Sequence, residues 1–596
     1  MPPEPSPTVP GTSPSVRLRI AQLHPRKGDV PANLARVAEL LQEAAGEADL
    51  LVLPETVLSG YFVEGAAASL ARSPEDIAEA LGNPPQGAPD LVLGSWEPVA
   101  GGVANSAIHL TPESGDWVVT HVHRKSFLPT YGVFQEARFV EPGTEIRAFD
   151  TRFGRMGLLI CEEMLHSLAP TILALDGAEF LVALAASPAR DFTPSTSGLP
   201  GNLRRWDVAG NAISLEHGIP LVVAHLTGSE GGKLLGGGSV VHGPGGEVLA
   251  RAPLFREALL DHELHRAGRP LETREGALLS DLRTRLPHLG RELERAARSP
   301  EANPRAAPPG APAARSGPRP RPGDASPLEL DIPLVTRALD AFLEDEVRTR
   351  RGFDSVVVAV SGGIDSAVSL LLARRVFPPE KVHALLLPYR TSSAESIEHG
   401  EAVCQAVGVT PRTIPITDPV DAYVELEEPG LSHLRRGNLA ARFRALVLWD
   451  QSASLGALPL GTGNKSERLL GYFTWHADDA PPVNPLGDLF KTQVRHLARH
   501  LGVPSDILEK PASADLVEGV TDADELGVEY EEADPVLHWL LSGWRPEELE
   551  ALGFSSTVVR TVRDRLEGTH WKRRLPTSAM LSSTSIGDFY LRPVDL

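Results

Sequence analysis

Residues 356–370 read VVVAVSGGIDSAVSL. Five apolar residues run into Ser361, Gly362 and Gly363, and Ile364, Asp365 and Ser366 follow. A buried strand that ends in small residues, with a helix starting at Ile364 or Asp365, gathers unpaired backbone N–H groups at one edge of a sheet. Such a spot attracts anions, because the first helical N–H groups have no partner and the helix dipole favours negative charge. The glycines let the backbone approach a phosphate without a Cβ in the way. Ser361 and Ser366 add hydroxyl donors. Asp365 would repel a phosphate unless a cation lay between them, and Mg²⁺ held by a carboxylate and phosphate oxygens is the natural one. The spacing is not that of the common Gly-x-x-x-x-Gly-Lys-Ser/Thr loop. A glycine-rich turn whose aspartate merely caps a helix is the plain alternative.

A second group of reactive residue types lies upstream. Cys161 follows the apolar run GLLI, Glu55 follows LLVLP, and Lys125 follows HVHR. A thiol nucleophile needs a base to take its proton and a positive charge to steady the developing oxyanion. Glu, Lys and Cys at the ends of three strands could converge on one edge of a sheet. A buried cysteine acting as a small hydrophobe is the plain alternative, and it is the reading for Cys404, which sits in the helical pattern AVCQAVG. No histidine is placed as a partner for Cys161, and HVH at 121–123 lacks the company of a metal site.

These residues need strands and helices to hold them. Upstream, short apolar runs such as SVRLRIAQL, ADLLVLPE, RMGLLICEE and PLVVAHL are bounded by turn residues, with helical patterns such as PANLARVAELLQEAAGE between some of them. Downstream, SVVVAVSGG, KVHALLLPY, TIPIT and ALPLGTG alternate with helical segments. Both halves predict layered α/β domains. Between them, 300–327 holds nine prolines and three glycines and reads as a semi-extended linker. Leucines at 278, 282, 286, 289 and 293 predict a connecting helix over 277–298. The expected division is a disordered tail at 1–15, a domain at 16–270, a helix and linker at 271–327, and a second domain at 328–596.

The chain has 596 residues, too many for one core, and a formal charge of −21 from 78 acids and 57 bases. That balance argues against broad nucleic-acid binding, which needs clustered Lys and Arg, but a local nest of N–H groups still accommodates a small anion. Two cysteines fit a reducing cytosol, so a cytoplasmic location is expected. No apolar stretch reaches the length of a membrane span, and the first residues lack the pattern of a signal peptide.

Around the glycine-rich loop stand NLAARFRALVLWD (438–450), GTGNKSERLLGYFTW (461–475), PLGDLFKTQV (485–494), KPASADL (510–516), TDADELGVEY (521–530) and KRRLP (572–576). SGGIDSA resembles the loop of ATP pyrophosphatases, enzymes that cleave ATP between its α- and β-phosphates. The whole order resembles the NAD synthetase family across 328–596. The resemblance implies a Rossmann-like parallel α/β fold that binds ATP and Mg²⁺. It assigns Ser361, Gly362, Gly363, Ile364, Asp365, Ser366, Thr462 and Lys491 to ATP, with Ser513 a weaker candidate. It assigns Asp365 and Glu467 to the metal, and Asn438, Arg442, Glu467 and Lys572 to deamido-NAD. Arg442 and Arg444 are two apart, so they cannot share one side of a helix. Trp475 stands where relatives can carry a lysine.

The upstream half, over about 16–255, resembles the nitrilase superfamily, carried by AQLHPRKGDVPANLARV, ADLLVLPETVLSGY, LPTYGVFQEARFVEPG, GRMGLLICEE and GGSVVHGPGGEVLA. That implies an α-β-β-α sandwich with Glu55 as general base, Lys125 stabilising the tetrahedral intermediate, Cys161 as nucleophile and Glu136 as a second acid. The fused order resembles glutamine-dependent NAD synthetases, and by that likeness Tyr131 and Ser187 contact glutamine. TGSEGGKLLGGGS at 227–239 stands where related glutaminase domains carry Gly-Gly-Gln-Asp-Glu. The activity implied is a ligase joining ammonia from glutamine to deamido-NAD at the expense of ATP, in a homo-oligomer. The alternatives are an ammonia-dependent synthetase whose upstream domain is a different or weak amidase, or an upstream domain that serves only as an assembly scaffold.

Overall fold

A computed structural model describes residues 15–265, 278–298, 318–427, 430–513 and 520–574. The expected N-terminal tail, apart from Ser15, and the 300–317 part of the linker lie outside them. The chain divides into two compact units.

The first unit contains two six-stranded sheets. One runs in the order 258–265, 15–22, 50–52, 90–99, 102–113, 116–124, and the other 248–251, 240–242, 221–225, 180–185, 154–160, 149–151. The first strand, SVRLRIAQ, shows why they stack: Val16, Leu18 and Ile20 alternate inward, with Arg17 exposed between two of them. Their faces meet Leu158, Ile160, Val182, Leu184 and Val223 of the second sheet in one core. Leu51, Leu53, Leu91 and Leu93 face the other way, onto Val37, Leu40 and Leu41 of the helix Val30–Ala44 and Ile77 of Pro74–Leu81. On the second sheet, Leu173 and Ile213 bring in the helices Leu168–Leu175 and Gly201–His217. The result is the expected α-β-β-α sandwich. The predicted connecting helix runs from Leu278 to Arg298.

The second unit is built on a four-stranded parallel sheet in the order 411–413, 382–386, 356–359, 458–459. Val356, Val358 and Val360 pack on the helices Ile364–Val376 and Lys491–Leu501. Val357 points the other way, towards Ala440 and Leu448 of the helix His433–Leu455. Helices on both faces explain the unbroken apolar run 356–360. Residues 318–327, read from sequence as linker, group with this unit, with Pro320 buried and the Pro322 ring close to Gly553. So does a short excursion of the upstream half, Phe192–Leu199, whose Phe192 carbonyl accepts from Asp331 N. Among the described residues no helix is long and apolar enough to cross a membrane.

Candidate active sites

In the first unit, the strand Leu50–Val52 delivers Glu55 through a tight turn in which Thr56 has φ +48°. The strand Asp116–Arg124 delivers Lys125 from the same sheet, and Gly154–Ile160 delivers Cys161 from the facing one. Lys125 Nζ donates to Glu55 Oε1 and Glu136 Oε2, both at 2.8 Å. Asn105 Nδ2 bridges the same two carboxylates, 2.8 Å from Glu55 Oε1 and 2.6 Å from Glu136 Oε1. The Tyr61 hydroxyl donates to Glu136 at 3.2 Å. All these side chains are buried.

Burial pushes the Glu55 carboxyl up, and Lys125 only partly offsets it. Burial also works against the Lys125 ammonium, but Glu136 and Glu55 prevail and hold its pKa well above the ordinary value. Cys161 begins a 3₁₀ turn with φ +50°, a conformation few non-glycine residues adopt. Burial, with Glu55 second, raises its thiol, against which Lys125 and the Ala186 N–H work. The thiol therefore rests protonated. Among the described residues Glu55 Oε2 is buried without a hydrogen-bond partner, which leaves one carboxylate oxygen able to accept a proton.

Tyr131 is exposed and donates at 2.6 Å to Oε2 of Glu162, the residue after Cys161. Ser187 follows the strand Phe180–Ala185 and its hydroxyl accepts from Asn202 Nδ2 at 3.0 Å. The diverged segment 227–239 forms a hairpin, Thr227–Glu230 against Lys233–Gly236. Its buried Glu230 accepts from the backbone N–H groups of Tyr61 and Phe62 and so holds the loop that follows Glu55.

In the second unit, the strand Val356–Ala359 ends in the glycine-rich loop and the helix starts at Ile364. Gly362 has φ +82°, and a Cβ there would lie 2.0 Å from the Ser396 carbonyl, so only glycine fits. Ser361 N donates to Ser366 Oγ at 3.1 Å, which ties the loop to the first helical turn. The loop opens on a cavity of about 330 Å³ lined by Ser361, Gly363, Ile364, Asp365 and Ser366, and on its other walls by Thr462, Glu467, Lys491 and Ser513. Lys491 Nζ lies 2.5 Å from Asp365 Oδ2 and 3.0 Å from Glu467 Oε1. Burial pushes Glu467 up to about 7, with Lys491 opposing and Asp365 and Asp522 adding to the rise. Burial disfavours the Lys491 charge, but Asp365 and Glu467 outweigh it and raise its pKa. Two carboxylates thus share one ammonium, and the Asp522 charge adds to the negative field around them. Hard oxygen donors with excess negative charge beside a phosphate-sized cradle fit Mg²⁺, which is commonly held by one or two carboxylates and completed by substrate phosphates.

Not every expected residue lines this cavity. Arg444 does, and its Nε donates to the Leu387 carbonyl at 3.1 Å. Arg442, two residues earlier, is exposed, as a 200° turn of the helix requires. Asn438 accepts from the Thr474 hydroxyl at 2.8 Å, and Lys572 Nζ donates to the carbonyls of Gly471 and Phe473. Both therefore support the segment 471–474, whose Tyr472, Phe473 and Thr474 form part of the wall, and neither lines it directly. Sequence reading set Arg444 against Arg442 and chose the latter, and it passed over Asn105, Glu230 and Asp522. Only the polarity of Asn105 and Asp522 within otherwise apolar or turn-like contexts hinted at them.

The NAD synthase family model matches residues 335–576, and the carbon-nitrogen hydrolase model matches 17–269. An NH(3)-dependent NAD(+) synthetase of Chlorobaculum parvum is 46% identical over 261 residues, 44% of this chain and 94% of that protein. One from Fusobacterium nucleatum is 40% identical over 255 residues, 43% of this chain and 98% of that protein. Among solved structures, a glutamine-dependent NAD+ synthetase from Acinetobacter baumannii, determined with ADP, aligns over 96% of this chain and 97% of its own, with TM-score 0.67 and 22% identity. One from Cytophaga hutchinsonii aligns over 94% and 93%, with TM-score 0.64 and 16% identity. At those identities the likeness is one of fold, and it spans both halves in the same order. The downstream identity decides the matter: the chain belongs to the NAD synthase family, with a carbon-nitrogen hydrolase domain fused ahead of the synthase.

Proposed function

We propose that this chain makes NAD from deamido-NAD and ATP, using ammonia that its upstream domain releases from glutamine. For the glutamine half, the observation that carries the reading is the buried Glu55 Oε2, unpartnered among the described residues, in a cluster where Lys125 Nζ donates to Glu55 and Glu136.

The chemistry follows from those groups. Glu55 takes the Cys161 proton as sulfur attacks the amide carbonyl, and Lys125 faces the oxyanion that develops. The proton passes to the departing nitrogen, ammonia leaves and a thioester remains. Water then attacks the thioester, Glu55 accepts its proton, and glutamate and the thiol are restored. Glu136 and Asn105 hold Lys125 and Glu55 in place throughout.

In the downstream cavity, the nicotinate carboxylate of deamido-NAD attacks the α-phosphorus of ATP and diphosphate leaves. Ammonia then attacks the acyl carbon of the adenylate, and AMP departs to give NAD. The N–H groups and hydroxyls of 361–366 bind the phosphates. Lys491 neutralises charge on the phosphoryl oxygens, and Arg444 offers a second cation on the cavity wall. Mg²⁺, held by Asp365 and Glu467, would add Lewis-acid neutralisation of the same charge.

The test is NAD formation from deamido-NAD and Mg-ATP with glutamine or ammonium as donor, in wild type and Cys161→Ala. The expected result is that wild type uses both donors and the variant only ammonium. Wild type that uses ammonium alone would give the upstream domain a different amide substrate. No NAD with either donor would overturn the whole reading.

A further inference from the structure

The lysine and the cysteine of the upstream site come from different sheets. Asp116–Arg124 ends the first sheet, and Gly154–Ile160 lies in the second, so no ladder of backbone hydrogen bonds joins them. Yet an ammonium that steadies a tetrahedral intermediate must sit within a fraction of an ångström of its place. Something other than sheet pairing has to fix the separation of these two strand ends.

Glu163 stands two residues beyond Cys161 and is fully buried. Its Oε2 accepts from Ile160 N at 2.8 Å, and its Oε1 accepts from Ser126 N at 2.7 Å. Ile160 is the residue before the nucleophile, and Ser126 is the residue after the lysine. One carboxylate therefore grips the chain next to each reacting group. A third contact comes from behind, where His123 Nε2 lies 2.7 Å from Glu163 Oε2. His123 is buried on the strand that carries Lys125, two residues before it. Burial alone would raise the Glu163 carboxyl. His123 and the two backbone N–H groups outweigh that and lower it, so the group is held as a carboxylate. The grip also bears on Cys161 itself, whose φ of +50° is a conformation that persists only where its surroundings enforce it.

We propose that Glu163, backed by His123, is a positioning residue for amide hydrolysis: it locks the Lys125 strand end to the Cys161 turn across the two sheets. Neither residue touches the reacting atoms. The inference rests on the reading of this domain as an amide hydrolase.

The test uses the full-length protein and Glu163→Gln. A glutamine at 163 fills the same space, but its amide nitrogen must face one of the two backbone N–H donors, so one half of the grip opens. Glutamate release from glutamine is measured for kcat and KM, beside ammonium-driven NAD synthesis and the melting temperature. The expected result is a fall in kcat of about 10- to 100-fold, the usual scale for a supporting residue one contact behind a reactive group. KM for glutamine stays within about twofold and ammonium-driven synthesis is unchanged. Unchanged kcat in a folded variant overturns the inference, and so does a rise in KM alone, which would make Glu163 a substrate-binding group. If Glu163→Gln does not fold, His123→Phe decides: it leaves both backbone bonds and removes only the contact from behind. A lower kcat at constant KM supports the lock, and wild-type kcat overturns it. Wild type that releases no glutamate at all is a failure of the underlying reading, distinguishable because it appears before any variant is made.

Discussion

Gly94 and Glu55 are packed so closely that a Cβ on Gly94 would lie 2.6 Å from the Glu55 Cα and 2.5 Å from Thr56 N. The strand Asp90–Val99 can approach the turn after Leu50–Val52 only because position 94 has no side chain, and Gly94 N donates to the Pro54 carbonyl at that crossing. The contact is with backbone, which cannot rotate away. Gly94→Ala is therefore expected to push Glu55 out of its place beside Lys125. Glutamine-driven synthesis should fall by about 100-fold, the scale of a misplacement near 1 Å, with a loss of stability of about 1–3 kcal/mol from overpacking. Ammonium-driven synthesis should stay as in wild type. Measuring the two donors side by side checks it, and equal loss with both would mean general unfolding.

The helix His433–Leu455 turns Arg444 inward and Arg442 outward, and the two should differ accordingly. Arg444→Ala is expected to raise KM for deamido-NAD or ATP about tenfold or more, since a lost charged hydrogen bond is worth roughly 1.5–3 kcal/mol. Arg442→Ala should change either constant by less than about threefold, as for most exposed substitutions. Steady-state constants of the two variants decide it. The reverse order would place the dinucleotide outside the cavity described.

Three histidines of the first unit are held as neutral rings, with His225 and His242 buried and His121 partly so. Burial lowers His225 to about 3, and His121 and His242 to about 4. An unfolded histidine titrates near 6.5. Between those values the unfolded chain holds a proton that the folded chain does not, so acidification below about 6.5 favours unfolding. Glu55 acts in the opposite sense, because its raised pKa draws a proton to the folded state, but it is one group against three. The first unit should melt at a lower temperature at pH 5 than at pH 7.5, with unfolding taking up as many as about three protons onto these rings. Calorimetry in buffers of different ionisation enthalpy measures both. A melting temperature that does not fall at pH 5 would contradict the neutral state of the rings.

Much of this was legible in the sequence because it is local. A run of apolar residues closed by Ser361-Gly362-Gly363 forms a strand, a loop and a helix start whatever surrounds it, and the helix does begin at Ile364. Glu55, Lys125 and Cys161 each follow a short apolar run, and the end of a strand is where a side chain meets a cavity. Their sequence neighbours suggested one shared sheet edge, and there the structure differs: Cys161 arrives from the facing sheet, because the site forms between two stacked sheets. The tertiary structure alone decided what stands behind and across from them. Asn105 bridges Glu55 and Glu136 from a third strand, and Glu163 holds the neighbours of Lys125 and Cys161 from two sheets. No spacing along the chain encodes these contacts, because they depend on how the sheets stack. The same holds for Arg444 over Arg442: a helix offers both sides, and only the sheet beneath it chooses one. Chemistry close in sequence follows from local geometry, whereas the partners that tune it are set by packing between elements far apart in the chain.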